Sequence, residues 1–213
     1  MKFDDRHDAG RQLATRLLEY HDDDVVVLGL PRGGVPVAAE VARVLHARLD
    51  VAPVRKLGVP YEPELAFGAI GEAGSRVIDD DIMKSTGMLR TEAAEVEARE
   101  ARVLRGRIHH LRALHPAASL WGRTVIVVDD GIATGATAKA ACLSARRRGA
   151  ARVVLAVPVA PSGWSENIGD FADACVSVTQ EPHFFGVAQF YRDFRQVDDG
   201  EVDRLLLEGS AAV

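Results

Sequence analysis

The chain has 213 residues, 47% of them hydrophobic, and a formal net charge of −5. That length suits a single domain with a sizeable core, and the acidic balance argues against a general nucleic-acid binder, whose contact face would be basic. No apolar run is long enough to span a bilayer and the N-terminus lacks a signal-like apolar core, so neither a nucleic-acid nor a membrane partner is expected, and a cytoplasmic location is.

In chain order, Leu13, Leu17 and Leu18 recur at helical spacing, which predicts an amphipathic helix over residues 8–20. Residues 25–30 read as a buried strand broken by Pro31-Arg32-Gly33-Gly34, and residues 35–47 as the helix that follows, with Pro36 tolerable in its first turn. Residues 50–55 are a second strand. Residues 56–65 contain Gly58, Pro60 and Pro63 and are expected to be an irregular, mobile loop. Residues 66–70 and 75–78 read as a hairpin, and residues 91–114 as a long helix whose Glu and Arg side chains make a solvated face, with His109 and His110 at the surface or in a dimer contact.

Residues 125–128 are a β-branched strand of the kind buried on both faces, and residues 138–148 a helix closed by Gly149, with Arg146 to Arg148 complementing its negative end. Residues 152–159 are another buried strand, 162–171 a short helix and 174–179 a last strand. Residues 180–199 are aromatic-rich and irregular, and 201–207 form a terminal helix. Strands alternating with helices give a parallel α/β sheet. Cys142 and Cys175, the only cysteines, are too few for a disulfide framework or zinc site and read as inert core residues.

The stretch at 125–137, Val-Ile-Val-Val-Asp-Asp-Gly-Ile-Ala-Thr-Gly-Ala-Thr, carries the most chemistry. Asp129 and Asp130 sit at the carboxyl end of the strand, where open α/β sheets bind ligands. Backbone N–H groups of residues 133–137 would point at an anion from a helix start, Gly135 lets the main chain approach closely, and the Thr134 and Thr137 hydroxyls add donors. A monophosphate cradled there would leave an attached ribose near Asp129 and Asp130, which can accept from two vicinal hydroxyls. Asp-Asp-Gly alone reads first as an acidic turn closing a strand, with Thr as helix cap; the full thirteen-residue arrangement reverses that preference in favour of the ligand site. It is neither a Walker loop nor a dinucleotide fingerprint.

This stretch resembles the signature by which type I phosphoribosyltransferases bind 5-phosphoribosyl 1-diphosphate: four apolar residues, two acidic ones, then a loop ending Thr-Gly-x-Thr or Thr-Gly-x-Ser. The whole chain is similar to a bacterial group of such proteins, stand-alone or fused to hydrolase domains. The resemblance implies a mainly parallel five-stranded sheet flanked by helices over about residues 22–179, with a small hood from residues 180–199 and the first twenty residues. It implies that Gly131, Ala133, Thr134, Gly135, Ala136 and Thr137 hold the 5-phosphate and that Asp129 and Asp130 hold the ribose. Arg32, Gly33 and Gly34 match the family's diphosphate loop, often built on a strained peptide; taken alone they are equally an ordinary turn. Arg55-Lys56 matches the cation pair that faces the diphosphate in orotate and adenine members, the alternative being two solvated charges at a strand end.

Displacing diphosphate from C1 of the ribose builds positive charge on the sugar and negative charge on the leaving group, so donors and Mg²⁺ are required, the metal arriving mainly on the substrate with Asp129 and Asp130 as its candidate protein contacts. The loop at 57–65 would be the lid. It lacks the Lys and His of orotate enzymes and offers Tyr61, Glu62 and Glu64, nearer the adenine pattern; Glu64 or Glu62 would take the acceptor's proton, or simply face solvent. Phe185, in Pro182-His183-Phe184-Phe185-Gly186-Val187, aligns with the base-stacking Phe of hypoxanthine-guanine enzymes, while Phe184, Phe190 and Tyr191 are expected to pack the tail onto the sheet. The implied activity is Mg²⁺-dependent transfer of phosphoribose to a base nitrogen, purine favoured over pyrimidine, by a homodimer. The alternative is a non-catalytic sensor of 5-phosphoribosyl 1-diphosphate or a nucleotide.

Overall fold

A computed structural model describes residues 2–21 and 23–210. Its strands are β1 (Val25–Gly29), β2 (Arg48–Val51), β3 (Val54–Val59), β4 (Glu62–Gly71), β5 (Arg76–Ile78), β6 (Thr124–Val128), β7 (Arg152–Pro161) and β8 (Ala174–Glu181). Its helices are α1 (Arg6–Ala14), α2 (Gly34–Leu45), α3 (Asp80–Thr86), α4 (Arg90–Leu114), α5 (Ala136–Arg147), α6 (Trp164–Ile168) and α7 (Asp199–Ser210).

Five strands form one sheet in the order β2-β1-β6-β7-β8, parallel at every pairing. The alternation of a pleated strand assigns the faces. Val25, Val27, Ile126, Val128, Val154 and Ala156 pack under α1, α2 and α7, whereas Val26, Leu28, Val125, Val127, Val153 and Leu155 pack under α5 and α6. Both faces are covered, which is why these strands read as continuous apolar runs. The motif strand and the helix after it fall where the sequence put them, and Gly149 follows α5 with φ 91°.

The main difference lies between residues 50 and 65. The predicted single strand over 50–55 is two strands, β2 in the central sheet and β3 in a separate antiparallel sheet of order β3-β4-β5. The expected irregular loop is the β3–β4 hairpin, with Pro60 and Tyr61 in its turn. The ladder accommodates the second proline by a register break: Gly58 pairs with Ala66 but Val59 pairs with Glu62, so residues 63–65 are extra on β4. This small sheet has its own core, Leu57, Val59, Phe67 and Ile70 against Met88, Val96 and Leu104 of the helical arm that ends in α4. The solvated face assigned to the long helix is therefore only part of its surface.

A buried charge network ties this sheet to the central one. Arg112 of α4 donates to Asp50 Oδ1 at 2.6 Å, to the Val51 carbonyl at 3.2 Å and to both Glu72 oxygens at 2.8 and 2.9 Å. Arg148 adds a bond to Glu72 at 3.1 Å and one to the Ala118 carbonyl. The arginines at 146–148 stand at the C-terminal end of α5, as expected, and also reach other elements, Arg146 pairing with Asp173 and Arg147 with the Gly74 carbonyl.

The first helix is shorter than expected, α1 being followed by a separate 3-10 turn at Leu18–Tyr20. The N-terminal segment and the tail are woven together: Phe3 donates to the Phe190 carbonyl at 2.8 Å, Arg192 to that of Phe3 and Asp193 to that of Asp4. Phe3, Ala9, Phe190 and Tyr191 close a small core over Val159 near the carboxyl end of β7.

Candidate active site

The carboxyl ends of β1 and β6 bring two glycine-bearing loops together. After β6 the chain passes Asp129 and Asp130, is pinned to β7 by the Ile132 N–H on the Val159 carbonyl at 3.0 Å, and enters α5 through Gly135 at φ 81°. That left-handed conformation suits glycine, and it leaves the first N–H groups of a twelve-residue helix open at the loop. Ala133 and Thr134 are exposed there, and Ala136 and Thr137 half-buried.

After β1, the cis Pro31–Arg32 peptide leads into Gly33 and Gly34 at the start of α2. Gly33 has helical φ and ψ of −62° and −33°, so its backbone does not call for glycine. Space does: a Cβ there would lie 2.9 Å from Asp130 Cγ and nearer still to Oδ2, and one on Gly34 would lie 2.6 Å from the Val128 carbonyl and 2.8 Å from Asp129 Cα. The Pro-Arg-Gly-Gly loop is thus packed directly onto the two carboxylates.

The carboxylates differ in their partners. Asp130 Oδ2 accepts from Arg6 Nε at 2.8 Å, and the Asp130 carbonyl accepts from the Tyr191 hydroxyl at 2.6 Å. Asp129 Oδ1 accepts the Asp130 N–H at 2.9 Å. Burial raises both carboxyls above the usual range; beside Asp129 the charge of Asp130 adds to the rise, while at Asp130 the Arg6 guanidinium opposes it. Burial also pushes the Tyr191 phenol well up, with the Asp130 charge adding to it, so it stays a donor.

A cleft of about 500 Å³ opens beside them, lined by Asp129 and Thr137, by Leu30 and Pro31, by Arg55, Lys56 and Pro60 of the β3–β4 hairpin, and by Arg99, Glu100 and Arg107 of α4. Arg55 Nε donates to Glu100 Oε2 at 2.9 Å. Burial would raise the Glu100 carboxyl, but bonding to Arg55 and Arg99 outweighs it and holds the group below its ordinary range. Arg32 turns to the neighbouring side of the loop, 3.7 Å from Asp199, and lines a second pocket of about 350 Å³. Thr134 and Ala136 face a third, of about 270 Å³, with Lys139.

A family model for the phosphoribosyl transferase domain matches residues 4–195. The chain belongs to that family. It is 53% identical over 200 residues to a provisionally named phosphoribosyl transferase of Mycobacterium tuberculosis, a match that spans 94% of this chain but 45% of that protein. The chain thus covers less than half the length of the curated relatives it matches. A crystal structure of a Thermus thermophilus protein is 42% identical, with a TM-score of 0.82 over 99% of this chain and 100% of that one. A structure from Aquifex aeolicus, 12% identical with a TM-score of 0.50 over 83% of this chain and 76% of that one, shares the fold.

Within this transferase domain the sequence-derived residues are not all gathered at one place. Asp129, Thr137, Arg55 and Lys56 share the cleft, Gly33 and Gly34 abut its floor, and Arg32 does not line it. Arg55 and Lys56 arrive from inside β3 of the small sheet, not from the end of a central strand. Phe185 is 91% exposed, while Phe184 stacks on Phe190 at 5.4 Å between ring centroids. Tyr61 and Glu62 are exposed, the Tyr61 hydroxyl donating to the Thr86 carbonyl at 2.6 Å; Glu64 belongs to β4 but its side chain lies outside the described residues.

Sequence reasoning missed Arg6, Arg99, Glu100 and Arg107. The last three sit on α4 among many other charges, and nothing local marks the few that border the cleft. Among the described residues no cluster of three or more His, Cys, Asp or Glu could hold a metal. Asp129 and Asp130 supply two carboxylates, one of their oxygens already engaged by Arg6, so they suit a hexacoordinate hard cation only if phosphate oxygens and water complete its shell.

Proposed function

We propose that this domain transfers the 5-phosphoribosyl group of 5-phosphoribosyl 1-diphosphate to a nitrogen of a base, a purine before a pyrimidine, in a Mg²⁺-dependent reaction. The bond from C1 to the diphosphate oxygen breaks with its electron pair leaving on diphosphate, the base nitrogen bonds to C1, and that nitrogen's proton passes to a general base. The observation that carries this reading is the single cleft onto which Asp129 and Thr137 open together with Arg55 and Lys56.

In this reading the α5 N-terminus and the Thr134 and Thr137 hydroxyls hold the 5-phosphate. Asp129 and Asp130 accept from the ribose hydroxyls, and their charge favours the cationic sugar of the transition state. Arg55 and Lys56, with the N–H groups of Gly33 and Gly34, receive the leaving diphosphate. Mg²⁺ carried on the substrate would contact Asp129 and Asp130 and neutralise charge developing on the leaving group. The hairpin turn at Pro60 and Tyr61 excludes water, Glu62 or Glu64 takes the acceptor's proton, and Phe185 stacks on the base.

The test is titration calorimetry of the protein with 5-phosphoribosyl 1-diphosphate and Mg²⁺, with Asp129→Asn/Asp130→Asn as control, followed by a panel of purines and pyrimidines scored by diphosphate release. Saturable binding lost in the control, with release in the presence of a base, supports the transferase. Binding without release by any acceptor supports the sensor reading instead, and no binding by folded protein removes the transferase reading and leaves only a sensor of a nucleotide.

A further inference from the structure

We propose that Arg6 is a positioning residue of this transferase, clamping Asp130 with one carboxylate oxygen left for the ribose; the role rests on the transferase reading above. Arg6 is 124 residues from Asp130 in sequence, yet its side chain is only 10% exposed and Nε lies 2.8 Å from Oδ2.

The guanidinium is itself fixed from three sides. Nη1 donates to the Arg195 carbonyl at 2.8 Å, and the guanidinium carbon sits 3.9 Å above the centroid of the Phe194 ring and 6.0 Å from that of Tyr191. Tyr191 in turn donates its hydroxyl to the Asp130 carbonyl. Side chain and main chain of Asp130 are thus held by one assembly made where α1 meets the tail. A planar cation fixed by stacking loses little freedom on bonding a carboxylate.

The groups facing Asp130 are Asp129 beside it, Arg6 from α1 and the Tyr191 hydroxyl from the tail. Two adjacent carboxylates at a buried strand end repel, and burial disfavours the charge of both. Arg6 supplies the opposing charge. Because it occupies Oδ2, the other oxygen of Asp130 and the cleft-facing Asp129 remain to accept two hydroxyls, which fixes the order in which a ribose can present them.

The experiment is calorimetric titration with Mg²⁺ at one near-neutral pH, for wild type, Arg6→Lys and Arg6→Met, against two probes: 5-phosphoribosyl 1-diphosphate, and inorganic diphosphate, which carries no ribose. A clamp on a ribose acceptor matters only where a ribose is present. Arg6→Met is expected to bind 5-phosphoribosyl 1-diphosphate about tenfold more weakly while inorganic diphosphate stays within about twofold of wild type. Arg6→Lys, which keeps a donor without the planar fork, is expected to recover part of the loss. If Arg6→Met does not fold, Arg6→Gln keeps a donor without the charge and is read in the same way.

Unchanged affinity for 5-phosphoribosyl 1-diphosphate in the neutral variants, or an equal loss for both probes, overturns the positioning role while the transferase reading stands. Wild-type protein that binds no 5-phosphoribosyl 1-diphosphate overturns the transferase reading, and this role with it.

Discussion

Replacing Gly33 by alanine separates space from backbone in the loop that abuts the Asp129 and Asp130 carboxylates. At φ −62° and ψ −33° alanine is as comfortable as glycine, and by restricting the unfolded chain it should even stabilise slightly. The new Cβ would nevertheless meet Asp130 Cγ at 2.9 Å, with Oδ2 nearer, where ordinary contact begins at 3.4 Å. The carboxylate must withdraw by about 1 Å, and a misplacement of that size at a reacting centre costs on the order of 10²-fold. In binding that is about 2.7 kcal/mol. The expected result by calorimetry with Mg²⁺ and 5-phosphoribosyl 1-diphosphate is therefore a roughly hundredfold weaker Kd, with a melting temperature within about 2 °C of wild type because only a side chain has to move. Gly34→Ala is the contrast, since its Cβ meets the main chain of Val128 and Asp129 and should lower the melting temperature as well. Gly33→Ala binding within threefold of wild type would show that Asp130 does not take part, and the reasoning would fail.

Asp129 and Asp130 are raised above their ordinary range in the folded protein, so the folded state holds protons that the unfolded chain would release, and the stability they contribute is lost as pH rises through the raised range. Asp129→Asn should then melt higher than wild type at neutral pH, by on the order of 2–4 °C for each 1 kcal/mol relieved, while losing ligand; a lower melting temperature would contradict the direction. Glu100→Gln removes the carboxylate that engages Arg55, and Mg²⁺-free inorganic diphosphate should bind about fivefold tighter at low ionic strength; unchanged or weaker binding would place Arg55 outside the anion site. Arg112→Ala leaves Asp50 and Glu72 to Arg148 and, for Asp50, to the N–H groups of Val51 and Ala118. With those partners retained the loss should sit near the low end for breaking a buried pair, about 3 kcal/mol, or about 6–12 °C in thermal unfolding; a change under about 3 °C would mean that the network carries little.

The parts of the fold that the sequence made legible are those in which the signal is local. Residues 125–137 announce a buried strand, paired carboxylates and a glycine-opened helix within thirteen positions, and the alternating elements that follow need nothing further. The β3–β4 hairpin was hidden because Gly58, Pro60 and Pro63 are breakers in isolation, and only pairing with a partner strand shows that a turn and a register break absorb them. That error also misplaced Arg55 and Lys56, which face the cleft from a second sheet rather than from the first. Arg6 had no local signal at all: its role depends on the closure of residues 3 and 190–195 around it, a contact no periodicity encodes. Glu100 and Arg107 were submerged in the charge of α4, and only the folded arrangement shows that both border the cleft.

The Asp50, Arg112, Glu72 and Arg148 network gives the small sheet the mechanics of a cantilever. Its root, at the Gly71 end of β4, is fastened by charges that carry a desolvation cost and resist separation. Its tip, the Pro60 and Tyr61 turn, hangs at the cleft and is tied by the Tyr61 hydroxyl to Thr86, a residue of the same arm. A beam clamped at one end bends most at the other, so traffic into the cleft should depend on flexure near the register break at Gly58 and Val59 rather than on the whole sheet swinging. Amide exchange would then be graded along β3, slowest toward Val54 and fastest toward the turn.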